Sequence, residues 1–391
     1  MARSASTEQI PFNPEILQWA RVRSRVSVES AAKRAGVDAT RLEKWESGKS
    51  APTARQARSL AALYGCSLIE FFRDSRPPRL EPQHLTDFRL FRGEDPSVAE
   101  RSLDSVRLWA ESNRVNALGL LEELGETPPD FPKQLFATVD TPVSEASSKA
   151  RELLQYPVSG DVPLTGQQKS DLVGLLRTKI EDSGVLCFRR PDLLSSGARG
   201  FCIAEFPLPI IVIANESSAP QLFTLAHEFA HVLLRSSAVS GVGITQKSSS
   251  RVEEWCNLFA GEFLAPEAAI AALLEKPNTP LESIDLETPE RLSNHFGISA
   301  QAMLVRLCEL GYVAHAYYWE VESEFPKQAK SFGRAKYYGQ RFPSQYGAKY
   351  TSLVLQAWDN SLITNHGAAE YLGIKNLKHL NDIRSNFAPD E

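Results

Sequence analysis

From Gln221 to Leu234 the chain runs without proline or glycine, and Phe223, Ala226, Ala230 and Leu234 recur at helical spacing. Leu225, Val232 and Leu233 widen that apolar surface until little of the helix is left for water, so the pattern predicts a buried helix. A second apolar-rich stretch, Arg251 to Leu264, also reads as a helix and is stopped by Pro266. Between residues 185 and 213 the period changes. Val185–Phe188, Phe201–Ala204 and Pro209–Ile213 are short apolar runs rich in β-branched or aromatic residues, and they predict strands, the last entering the first helix through Ala214-Asn215. The pattern predicts that this last strand could take up an extended peptide by edge pairing.

Upstream, residues 28–35 predict a helix ended by Gly36, and Asp38 caps a second helix running to about Ser47, which Gly48 stops. Helix, short glycine-containing turn, helix is the helix-turn-helix cadence. Leu17, Ala31, Ala32, Val37, Leu42, Trp45, Leu60, Leu63, Phe71 and Phe72 are its expected core. Residues 96–126, 144–156 and 171–182 predict further helices, residues 281–311 a small helical unit, and 363–380 one more helix–turn unit. The expected class is therefore mainly α with a small β-sheet (α+β). The expected division is a helix-turn-helix domain at 1–76, a linker and helical segment at 77–165, a central domain holding the strands and both apolar helices at 166–320 and a C-terminal helical domain at 321–391.

Composition adds little to this until charge is divided along the chain. Residues 1–80 carry 14 Lys and Arg against 8 Asp and Glu, a surplus of six in a chain of net charge −5, which leaves −11 for the remainder. A basic module on an acidic protein is what phosphate binding requires. Five cysteines at 66, 187, 202, 256 and 308 form no C-x-x-C pair, so a reducing cytoplasm without disulfides is the expectation. No apolar run reaches ~18 residues and the first residues lack an apolar signal segment, so no membrane association is expected.

The first helix carries the chemistry. His227-Glu228-Phe229-Ala230-His231 places two imidazoles one turn apart on one face, where both can reach a single Zn²⁺, with Glu228 beside them as candidate general base. Such a site needs a third protein ligand. On the second helix Glu253 is the leading candidate, with Asn257 one turn later as the polar residue that would steady it, and Glu254 and Glu262 are rivals. Cys256 between Trp255 and Asn257 reads as a small core residue.

Taken together, H-E-F-A-H-V-L-L followed by E-x-x-x-N-x-F-A-x-x-F-L-x-P resembles the ImmA/IrrE metallopeptidases, gluzincin-type zinc proteins of bacteria and their mobile elements. The resemblance implies one zinc per chain held by His227, His231 and Glu253, with Glu228 as base. Trp255-Cys256 and Phe263-Leu-Ala-Pro266 depart from the usual residues there without removing a ligand. The stretch Ser27 to Pro52, and its ending W-E-x-G-K-x-x-P above all, is similar to the Cro-like (XRE) repressor domains. That likeness implies double-stranded operator DNA as partner, with Ala39, Thr40, Arg41 and Lys44 toward the bases and Lys49 on a phosphate. Val28 stands where such domains often place glutamine, and Ala39 offers a base only a methyl.

Three functions are compatible with these parts. One is a DNA-bound zinc endopeptidase that cleaves a protein partner such as a repressor. Another is a DNA-binding repressor or antitoxin-like regulator of a toxin or phage-defence gene, using the zinc fold as sensor or docking domain. The third is a structural zinc protein, which an intact Glu228 argues against. Helix-turn-helix proteins commonly read two half-sites, so a homodimer is expected. Residues 326–350 hold six Lys or Arg and no acid, interleaved with Phe332, Tyr337, Tyr338, Phe342, Tyr346 and Tyr350. A single-strand nucleic-acid platform would look like this, but so would a helical face whose aromatics pack into a core, and the latter is the expectation.

Overall fold

The computed structural model describes residues 12–24, 26–64, 66, 68–73, 86–87, 96–157, 162–241, 251–275, 277–325, 345–374 and 376–387. The N-terminal unit is built from α1 (Pro14–Arg23), α2 (Val28–Ala35), α3 (Ala39–Glu46), α4 (Ala54–Tyr64) and a 3-10 turn, Leu68–Phe72. Its helix starts are chemically explicit. Asn13 accepts hydrogen bonds from the N–H groups of Glu15 and Ile16, Ser27 from Ser30 and Asp38 from Arg41, each satisfying donors that a first helical turn leaves open. Gly36 adopts φ 69°, the left-handed cap that lets the chain turn from α2 toward α3. Leu17, Ala31, Ala32, Leu42, Trp45, Leu60 and Phe71 are buried as the pattern predicts. Val37 and Leu63 pack on the rim of that core, and Phe72 departs from expectation, at 38% exposure. The Arg21 guanidinium grips Glu46 through two bonds of 2.6 and 2.9 Å and so ties α1 to the end of α3.

The central sheet has five strands: β1 (Thr86–Asp87), β2 (Leu186–Arg190), β3 (Ala198–Ile203), β4 (Ile210–Ala214) and β5 (Ala238–Gly241), ordered β1-β5-β3-β4-β2. β4 runs parallel to β2 and antiparallel to β3. It therefore has a neighbour on each side, which corrects the expectation of edge pairing: its backbone groups are already spent within the sheet.

Both faces of the sheet are covered, and strand alternation divides the residues between two cores. Cys187, Cys202, Ile211 and Ile213 point to the front, against α7 (Gly166–Asp182), α8 (Ser218–Leu233) and α9 (Arg251–Leu264). Leu186, Phe188, Phe201, Ile210 and Val212 point to the rear, against α5 (Pro96–Leu124) and the C-terminal α14 (Ala348–Asp359), α15 (Asn365–Tyr371) and α16 (Lys378–Phe387). The front layer is completed by α6 (Val143–Leu154), α10 (Glu267–Leu273), α11 (Glu287–Phe296), α12 (Ala300–Glu309) and α13 (His315–Val321). The α7 helix starts five residues before its predicted start, at a capping box in which Thr165 and Gln168 satisfy each other's backbone.

Of the basic aromatic stretch, Tyr346 and Tyr350 are buried in the rear core, stacked 5.7 Å apart. Phe332, Tyr337, Tyr338 and Phe342 lie outside the described residues. The N-terminal unit docks on the rear layer. Arg23 donates to Glu111 at 3.2 Å, Glu111 also holds Arg107 at 3.0 Å, and all three side chains are buried. Ile69 packs against the rear core.

Candidate metal centre

The α8 helix leaves the end of β4 through a three-residue turn and lies across the front of the sheet, every residue from Leu225 to Leu233 buried. That burial follows from its composition: a helix apolar nearly all round has no face for water. His227 and His231 lie one turn apart, and their Nε2 atoms face each other at 3.2 Å. The α9 helix packs along α8 with Glu253 in its first turn. Glu253 places Oε1 3.1 Å from His231 Nε2 and Oε2 3.5 Å from His227 Nε2.

Trp255, one of the departures from the resembled pattern, helps fix this placement. Its indole N–H donates to the Thr141 carbonyl at 2.8 Å, and its ring begins a stacked column with Phe259, 5.3 Å away, and then Phe263.

The three donors are spaced as a tetrahedral ion requires. Two ligand atoms each ~2.0–2.1 Å from one ion stand about 3.3–3.4 Å apart, and the distances here are 3.1, 3.2 and 3.5 Å. His227, His231 and Glu253 are the one group of this kind among the described residues. Both Nδ1 atoms are buried without a hydrogen-bond partner there. The electrostatics favour a ligand state. Burial pushes His231 below its ordinary value, keeping the imidazole neutral. Burial alone would raise the Glu253 carboxyl, but hydrogen bonds to His227 and His231 outweigh it and hold the group ionised, well below the usual carboxylate range.

The rivals go elsewhere. Glu254 is exposed, and Glu262 pairs with Arg306 and accepts from the Glu267 N–H. Burial, then the charges of Glu253 and Glu228, push the Cys256 thiol well above its ordinary value, as for a small core residue. Asn257 is half-buried one turn beyond Glu253. Glu228 is fully buried beside His227.

One residue at the site escaped the sequence reading. Gly200 in β3 lies directly against Glu228 and Thr224. The available signal was a glycine inside a strand pattern, which marks close approach of backbone to something else.

The other expected site is open. On α3, Thr40, Arg41 and Lys44 are exposed, Ala39 is half-buried, and Lys49 is exposed in the turn that follows. The docking contacts through Arg23 and Ile69 belong to α1 and the 3-10 turn and so leave α3 uncovered.

Residues 17–71 match the family model described as helix-turn-helix, and residues 180–308 match the peptidase-family model described as an IrrE N-terminal-like domain. The chain thus joins an XRE-type DNA-binding domain to an IrrE/ImmA-like peptidase-family domain, the architecture expected from its motifs. No curated protein and no solved structure matches the chain. Among the described residues no single helix is long and apolar enough to cross a membrane.

Proposed function

We propose that this protein is a DNA-bound zinc endopeptidase that cleaves a protein partner, a transcriptional repressor being the substrate most consistent with a protease carried on a DNA-binding domain. The observation that carries the reading is the convergence of His227, His231 and Glu253 on one point at ligand spacing, with a fully buried carboxylate, Glu228, next in the chain to the first of them. His227, His231 and Glu253 would hold one zinc and leave a coordination position open. When bound, the ion would supply Lewis acidity to polarise a peptide carbonyl and acidify water. Glu228 would take the proton of the attacking water and return it to the leaving amine. The Thr40, Arg41, Lys44 and Lys49 side chains, with the methyl of Ala39, would read or grip an operator, raising the local concentration of peptidase where its substrate sits.

A second reading has its own support. The four site residues are at most 4% exposed. A regulator that uses the zinc fold to sense or dock, without turnover, fits so buried a centre. Metal content of the purified full chain, followed by incubation with proteins encoded beside it, separates the two. About one zinc per chain and cleavage abolished by Glu228→Ala supports the peptidase. Zinc without cleavage supports the regulator, and absence of zinc removes both. The cytoplasmic location, the homodimer and the four-part division of the chain belong to the same proposal. Size and half-site spacing on DNA test the dimer.

A further inference from the structure

Gly200 sits in the middle of β3, where an interior glycine weakens a strand through entropy and missing contacts. Its backbone does not call for glycine, because its φ lies outside the left-handed region that nine other glycines occupy. Space is the remaining reason. A Cβ at this position would lie 2.6 Å from Thr224 Cγ2, 2.7 Å from Glu228 Oε1 and 3.0 Å from Glu228 Cγ. Two of these three nearest atoms belong to the candidate base. Thr224 and Glu228 are one turn apart on α8 and both turn toward the strand. Cys202, two residues along the same face of β3, is also within electrostatic reach of Glu228. The carboxylate is therefore pressed between its own helix and a strand whose side chain has been removed to admit it.

We propose that Gly200 is the positioning residue for Glu228: the space left by its missing side chain sets where the carboxylate stands relative to the metal ligands on the same helix. The proposal rests on the metallopeptidase reading. A side chain at position 200 would displace the Glu228 carboxylate first, since the three atoms nearest its Cβ belong to Glu228 and Thr224 and not to His227, His231 or Glu253. Zinc binding and base positioning thus become separable.

The test uses the zinc-loaded full chain and acetohydroxamate, which takes the open coordination position and shares its proton with a neighbouring carboxylate. Gly200→Ala is made alone and with Thr224→Ser. The serine removes the Cγ2 methyl, so in the pair only the Glu228 contact remains strained. Each is combined with Glu228→Gln to form a double-mutant cycle. We expect Gly200→Ala/Thr224→Ser to keep one zinc per chain and to lose at least tenfold in acetohydroxamate affinity. Thr224→Ser alone should change nothing, and adding Glu228→Gln to the pair should bring no further loss. Losses that add in full would show that position 200 does not act through Glu228, and would overturn the proposal. Loss of zinc or of the folded state in the serine-relieved variant would place the role of Gly200 in packing, and would overturn it too. A wild-type chain without zinc fails at an earlier step and strikes the metallopeptidase reading itself.

Discussion

The two candidate sites differ most in their access to solvent. On α3, Thr40, Arg41 and Lys44 are exposed on a helix held from behind by Leu42 and Trp45. On α8, His231 and Glu228 are entirely buried and His227 is 4% exposed, as is Glu253 on α9. A ligand as stiff as duplex DNA can be met by a preformed convex surface, with long cationic side chains adjusting locally. A hydrolytic centre gains from being dry, because every charge interaction strengthens as water leaves. Burial raises the cost of charge on His231 and Glu253, whereas the α3 side chains stay in water.

The largest expected effect lies at the buried site. His231→Ala or Glu253→Ala should abolish stoichiometric zinc, read by metal analysis after gel filtration, because two remaining protein ligands do not hold the ion tightly. Duplex DNA affinity should be unchanged in both variants. A fall in DNA affinity together with zinc loss would break the contrast and show that the two sites share one conformational equilibrium.

Next is the joint between the regions. Glu111 holds both Arg23, from the DNA-binding unit, and Arg107, from α5, out of reach of water. Removing a buried carboxylate leaves two uncompensated cations, so Glu111→Ala should cost about 3–5 kcal/mol, measured by urea unfolding. Hydrogen exchange should rise in the 3-10 turn Leu68–Phe72, where Ile69 meets the rear core, if the docked arrangement persists in solution.

How far these features could be read from the sequence depended on how local they were. Asp38, Gly36 and the W-E-x-G-K ending announce α2, α3 and their turn, because caps are set by residues within four positions. That His227, His231 and Glu253 come together was legible because a metal-ligand pattern constrains residue type and helical spacing at once. β5 and β1 were not, being four and two residues long and defined by pairing between segments some 150 positions apart. The burial of β4 on both faces was legible, since Ile210 to Ile213 is apolar at every position, but that α14 to α16 cover the rear was not, because they lie far along the chain. Gly200 was missed for the same reason, since what it accommodates arrives from a helix 28 residues later.

Glu181 is a buried carboxyl of the framework, outside both sites. Burial raises the Glu181 carboxyl to about 7, against the pull of Arg177 and the backbone N–H groups at the start of α14; Ala348 N–H donates to it at 3.0 Å. Its ordinary value is 4.5, so between about pH 4.5 and 7 the folded chain keeps a proton that the unfolded chain has lost. Its contribution to stability is fully present below 4.5 and is lost as pH rises through 7, by up to ~3 kcal/mol. Glu181→Gln should reduce the slope of urea midpoints across the window, leaving the part due to Glu309, which burial also raises to about 7, with zinc content unchanged.

The smallest effect should come from the open surface. Arg41 and Lys44 are exposed, so Arg41→Ala and Lys44→Ala should each shift stability by no more than ~0.5 kcal/mol. Each should weaken binding to duplex DNA by ~1–3 kcal/mol if it meets a base edge. If it meets a phosphate instead, the loss should be uniform across sequences, and the slope of log affinity against log salt should shrink by about 1. Fluorescence anisotropy at several salt concentrations distinguishes these cases. Undiminished affinity in both variants would mean that an exposed cationic helix is not a reading head here, and the contrast would then lie between a buried centre and a surface meant for a protein.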